Sequence, residues 1–243
     1  MTKKSNINLK VSWDKDVISE KTETERSLLI ELDANDSSKN EKKERQAVNL
    51  ALVIDRSGSM QGSPIEAAKS AAIQIAEKLN SHDRLSIVTF DSEIDMLFSN
   101  VQMNDKGSSY AKGLISEIYA GGITNLSGGW FEGARCATKA IDEGAFKNGF
   151  VMVLSDGMAN DGIQAPNELN NHASEHASRG VQSSSIGIGA HYSPLQLDAL
   201  AEGGRGRLHH TETADDIIDV VLGELGEIGN TVAKNIKLNI HHP

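Results

Sequence analysis

Four short, nearly unbroken apolar runs constrain this chain more than any other feature: Val48–Ile54, Arg84–Phe90, Phe150–Leu154 and Ser184–Ile188. A strand with one wet face alternates apolar and polar residues, whereas a strand covered on both faces needs apolar side chains on both. These runs read as inner strands of a parallel sheet. Ile94–Phe98 follows Phe90 through a tight turn and reads as a short edge strand. Between the runs lie amphipathic stretches. Ser63-Pro64-Ile65-Glu66 has the form of a capping box, and Ile65, Ala68, Ala72, Ile75 and Leu79 then share one helical face. Ser193-Pro194-Leu195-Gln196 repeats the device. Thr213-Ala214-Asp215-Asp216 opens a last helix with acids where its dipole favours them, followed by the stripe Ile217, Val221, Leu225 and Ile228. Further helices are predicted over 106–119, 127–142 and 166–179. Strands alternating with helices define an α/β class: a doubly wound, mostly parallel sheet with helices on both faces.

The flanks differ from this core. Ile7–Trp13 alternates in the period of a half-buried strand, and Ser27–Leu32 is a second strand candidate. Residues 33–46 are almost all polar or charged and read as an exposed loop; the glutamates around Lys42-Lys43 argue against a binding role there. Val232–Ile240 alternates again and is expected to pair with the N-terminal strands. The expected organisation is therefore 1–46 as N-terminal strands and loop, 47–228 as the α/β domain, and 229–243 as a C-terminal strand completing a small accessory β appendage.

Composition removes several functions. The 24 Lys and Arg against 34 Asp and Glu give a net charge of −10, the wrong sign for a nucleic-acid backbone binder. No apolar run reaches the roughly 18 residues of a membrane span. The single cysteine, Cys136, cannot form an intrachain disulfide and fits a reducing compartment. The start Met1-Thr2-Lys3-Lys4 leads into no apolar stretch, so no secretory signal is expected. A soluble, cytoplasmic protein is the expectation.

In an open α/β sheet, ligands bind beyond the carboxyl ends of the strands. The loop after the first inner strand reads Asp55-Arg56-Ser57-Gly58-Ser59-Met60, one carboxylate and two hydroxyls at alternate positions. Oxygen donors of this kind suit Mg²⁺, Mn²⁺ or Ca²⁺. A glycine-rich loop, Gly121-Gly122-Ile123-Thr124-Asn125, presents a third hydroxyl at Thr124, and Ser155-Asp156-Gly157 places a second carboxylate at Asp156 after another strand. Together the five positions resemble the metal-ion-dependent adhesion site of von Willebrand factor type A domains, over roughly residues 47–228. The run Gly122–Trp130 is most similar to intracellular bacterial members. The resemblance implies a Rossmann-like fold in which Ser57, Ser59 and, in some states, Thr124 bind the metal directly. Asp55 and Asp156 would act mainly through water. Neutral hydroxyls would leave the cation poorly neutralised, with an open position for a Glu or Asp carboxylate of a partner protein. In some relatives the last helix shifts when the site is filled, which would be residues 214–228 here. Arg56 is expected at the rim, where its charge would favour acidic partners.

Other readings are weaker. A haloacid dehalogenase-like phosphatase would use Asp55 as nucleophile and need a second Asp two residues on, where this chain has Ser57. Gly187-Ile188-Gly189 lacks the third glycine of a dinucleotide fingerprint, since Tyr192 stands there, and there is no Walker-type loop or nucleophile elbow. His172-Ala173-Ser174-Glu175-His176 matches a zinc-protease string, but its polar neighbours suggest a solvated helix face and a chance match. His209-His210 and His241-His242 are adjacent in strand-like segments and point to opposite faces. Asp161 reads as a turn residue and Cys136 as a small core residue. A structural or oligomerising module with an idle metal site is the remaining alternative; no oligomeric state is legible.

Overall fold

The computed structural model describes residues 7–14, 25, 27–34, 46–190, 192–229 and 237–239. The chain divides into two compact units, 1–45 with 230–243, and 46–229. In the smaller unit, β1 (Ile7–Trp13) pairs antiparallel with β2 (Leu28–Ala34), Leu9 opposite Leu32 and Val11 opposite Ile30. Most of the strand expected over Val232–Ile240 lies outside the described residues; 237–239 are exposed and in neither helix nor strand.

The larger unit is a six-stranded sheet. In chain order it contains β3 (Asn49–Asp55), α1 (Ser63–Lys78), β4 (Arg84–Phe90), β5 (Ile94–Gln102), α2 (Asp105–Ser116), α3 (Leu126–Asp142), β6 (Gly149–Ser155), α4 (Pro166–Ser178), β7 (Val181–Ile188), α5 (Pro194–Gly203), β8 (Arg205–Thr211) and α6 (Ala214–Gly229). The strand order is β5-β4-β3-β6-β7-β8, parallel except for β5. Every residue of β3 and β6 is buried, as central strands require. Alternate residues of β3 serve two cores. Leu50, Leu52 and Ile54 join α1, α2 and α6 on one face, while Ala51 and Val53 join α3, α4 and α5 on the other.

Helix α3 lies unusually close to the sheet. A Cβ at Gly133 would sit 2.3 Å from Val53 Cγ2, and one at Gly129 2.5 Å from the Phe90 ring. Both are far inside van der Waals contact, so only glycine permits this approach. It brings the start of α3, and Thr124 just before it, down onto the ends of β3 and β4.

Three local expectations are corrected. At α1 the N-cap is Gly62, whose φ of 91° lets the helix begin at Ser63; no side chain caps it, and the Ser63–Glu66 box does not form. Ser193 is the N-cap of α5 by position but makes no side-chain cap bond. The reciprocal box occurs at α6, where Asp216 N donates to Thr213 Oγ1 at 3.2 Å and Thr213 N to Asp216 Oδ2 at 3.1 Å. Strand β8 extends the strand-like segment read around His209-His210 to Arg205–Thr211. As an edge strand it carries Arg205, Arg207, His209 and His210, and no apolar run marks it. No described helix is long and apolar enough to cross a membrane.

Candidate metal centre

From β3 the chain winds outward through β4 and β5; from β6 it winds the other way through β7 and β8. The adjacent strands β3 and β6 thus form the switch point where such a sheet opens a crevice at its carboxyl ends. Asp55 ends β3 and is fully buried. Its Oδ1 accepts from Ser57 N at 2.7 Å and its Oδ2 from Ser155 Oγ at 2.5 Å. Burial outweighs these bonds and holds the carboxyl up to about 6, with a smaller push from the charge of Asp156.

The turn after Asp55 brings its two hydroxyls together, Ser57 Oγ lying 3.1 Å from Ser59 Oγ. Ser59 Oγ donates to Asp156 Oδ1 at 2.8 Å, so the first loop reaches the loop after β6. The Thr124 loop is laced to both. Gly58 N donates to Gly122 O at 3.0 Å and Gly121 N to Arg56 O at 2.7 Å. Thr124 N donates to Asn160 Oδ1 at 2.8 Å, and Asn160 N returns a bond to Thr124 O at 3.1 Å.

All three loops surround Gly157. A Cβ placed there would lie 3.1 Å from Ser59 Oγ, 3.5 Å from Thr124 Oγ1 and 3.8 Å from Asp55 Oδ2. The glycine keeps open a small cradle lined by carboxylate and hydroxyl oxygens, a donor set that fits a hard divalent cation. The five expected positions, Asp55, Ser57, Ser59, Thr124 and Asp156, are therefore brought together. Among the described residues no group of three or more His, Cys, Asp or Glu forms a different centre.

Two supporting residues escaped the sequence reading. Ser155 bridges β6 to Asp55, and Asn160 clamps Thr124. Ser155 had a visible signal in its place at a strand end beside Asp156; Asn160 had none. Arg56 corrects an expectation. It is buried, with Nε 3.3 Å from Asp91 Oδ2 and Nη2 2.7 Å from Asp95 Oδ2. Its charge is taken up within the protein by these two acids, bracing the loop after β3 against the turn after β4 and the start of β5. Asp161 sits in a turn and accepts from Asn125 Nδ2 at 3.1 Å.

The remaining motifs are structural. His176 packs edge-on to Trp130, ring centroids 5.2 Å apart, and His172 edge-on to Phe131 at 5.1 Å. The face expected to be solvated is thus an aromatic contact between α3 and α4. Burial holds the His176 imidazole below its usual range, and Glu175 pairs with Arg179 at 2.6 Å. His209 Nε2 meets Glu224 Oε1 at 2.7 Å, whereas His210 stacks on Tyr192. Cys136 is buried in the core, its Sγ 3.6 Å from Met96 Sδ. His241-His242 lie outside the described residues.

The von Willebrand factor type A domain model matches residues 49–221, and the chain belongs to that family of protein-interaction modules. Uncharacterized protein sll0103 of Synechocystis is 30% identical over 175 residues, covering 72% of this chain and 40% of its own. Uncharacterized protein YfbK of Escherichia coli is 26% identical over 199 residues (81% and 34%). Human inter-alpha-trypsin inhibitor heavy chain H3 is 25% identical over 196 residues (78% and 22%). The chain thus spans less than half the length of these relatives. Among solved structures, the von Willebrand factor type A protein from Catenulispora acidiphila superposes with a TM-score of 0.68 at 15% identity, over 96% of this chain and 51% of that one. Proximal thread matrix protein 1 of the mussel byssus, solved with a zinc-occupied MIDAS motif, gives 0.60 at 20% identity over 76% and 46%.

Proposed function

We propose that this chain is a non-enzymatic interaction module that binds a protein partner through a divalent cation, Mg²⁺ by preference. Ser57, Ser59 and Thr124 would hold the ion through hydroxyl oxygens, with Asp55 and Asp156 acting behind them, largely through water. The bound ion supplies a positive charge that a partner's Glu or Asp can meet. The residues do the rest: Ser155 and the Ser57 amide orient Asp55, and Asn160 fixes the height of Thr124. The observation that carries the reading is the Gly157 cradle, where oxygens from two loops face one small space beside a third. A site for tight ion storage would place more carboxylates on the ion. Here two carboxylates and three neutral hydroxyls leave charge for a partner to complete.

The test is co-purification from cell extract on immobilised full chain, in Mg²⁺ and in chelator. The reading expects a protein retained by the wild type in Mg²⁺ and lost both in chelator and with Asp55→Ala. A partner retained equally in chelator would instead support the structural module.

A further inference from the structure

Resting on that reading of the metal site, we propose that its rim selects a partner carboxylate flanked by apolar side chains, rather than one within an acidic tract. Among the described residues of the 46–229 unit, six large apolar side chains are strongly exposed: Met96, Tyr110, Tyr119, Ile123, Met158 and Leu195. Scattered exposure needs no explanation, but four of the six stand on the edge that carries the metal loops. Ile123, 48% exposed, directly precedes Thr124, and Met158, 63% exposed, lies two residues beyond Asp156. Leu195, 75% exposed, is in the first turn of α5, whose Ser193 N donates to Gly157 O at 3.3 Å. Tyr119, 72% exposed, lies beside Arg56, the guanidinium 5.8 Å from its ring centre. Each is tied to a metal loop by at most a few residues or one contact.

Charge decides what can dock there. Arg56 is already paired with Asp91 and Asp95, so it offers little to a partner's acid. With two acids on one guanidinium, that cluster keeps a net negative charge, and Asp161 adds another nearby, within a chain of net charge −10. A segment rich in acids would meet this negative charge beside the ion. A single acid between apolar neighbours would meet the ion at its centre and Ile123, Met158, Leu195 and Tyr119 at its sides. Covering apolar side chains there removes them from water on both partners.

The experiment is an NMR titration of the isotope-labelled full chain saturated with Mg²⁺. Two capped tripeptides serve as probes, leucine–glutamate–leucine and serine–glutamate–serine. The leucine peptide is expected to bind at least five-fold more tightly, and neither to bind in chelator. The double variant Ile123→Ser/Met158→Ser should keep its Mg²⁺ uptake and its affinity for the serine peptide while losing the margin. Equal affinities, binding of neither peptide to the Mg²⁺-loaded protein, or a margin that survives the double variant would overturn the proposal. So would a Mg²⁺-dependent dimer of the chain that occupies the same rim. If the wild type takes up no Mg²⁺ at all, the metal reading itself fails, and that outcome is visible before any peptide is added.

Discussion

Ser59 Oγ donates a 2.8 Å hydrogen bond to Asp156 Oδ1, joining a hydroxyl of the loop after β3 to a carboxylate of the loop after β6 across 97 residues of sequence. Ser59 is itself exposed, so the bond adds little to the fold. Ser59→Ala is expected to leave thermal stability in chelator within about 0.5 kcal/mol of wild type. It should weaken Mg²⁺ binding about ten-fold or more, a loss of about 1.4 kcal/mol. Calorimetric titration beside a melting curve checks both halves.

Gly157 makes a sharper probe of the cradle. It has no positive φ, so alanine suits the backbone, yet the added methyl would lie 3.1 Å from Ser59 Oγ and 3.5 Å from Thr124 Oγ1. Gly157→Ala should fold normally and take up no Mg²⁺. Undiminished uptake would place the ion elsewhere.

The buried Asp55 carboxyl sets a pH dependence. Its folded pKa, about 6 without metal, lies above the ordinary aspartate value of 3.8. The native state therefore binds more protons between those values, and this group's contribution to stability falls as pH rises from about 4 to 6. Divalent metal favours the ionised form. The Mg²⁺-induced rise in melting temperature is thus expected to be largest above pH 7 and to fade as pH drops through 6. Melting curves across that range, with and without Mg²⁺, measure it; a metal effect that grows toward acid pH contradicts the assignment.

Arg56 should matter for stability more than for attraction of acids. Arg56→Gln leaves Asp91, itself buried, without its ion pair, a change that costs about 3 kcal/mol in buried pairs. Denaturant unfolding of Arg56→Gln, Asp91→Asn and the double variant is expected to show the double variant less destabilised than the two losses combined.

The contact at α3 predicts a packing penalty. Gly133→Ala drives a methyl to 2.3 Å from Val53 Cγ2 and should cost about 1–3 kcal/mol despite alanine's better helix propensity. An exposed helical glycine with open space around it, Gly113, is the control, where alanine should be neutral or stabilising.

What could be read from the chain depended on whether the determinants were local. The inner strands were legible because burial on both faces leaves continuous apolar runs, as in Leu50–Ile54. β8 was legible only around His209-His210, since an edge strand bearing Arg205, Arg207 and two histidines leaves no apolar run. The five candidate positions could be picked out as oxygen donors in loops, Asp55 and Asp156 where strands end and Thr124 in a glycine-rich stretch before a helix. Their supports were less legible: Asn160 reaches Thr124 from 36 residues away. Arg56 was misjudged for the same reason, because the acids that neutralise it follow β4, 35 and more positions downstream. At α1 a single backbone angle, that of Gly62, undid a plausible cap.

The most direct measurement is calorimetric titration of the metal-free full chain with Mg²⁺ at pH 7.5, alongside Asp55→Ala. The account predicts saturable uptake of one ion per chain by the wild type and none by a variant that remains folded. No saturable uptake by the wild type, or equal uptake by both proteins, would contradict it.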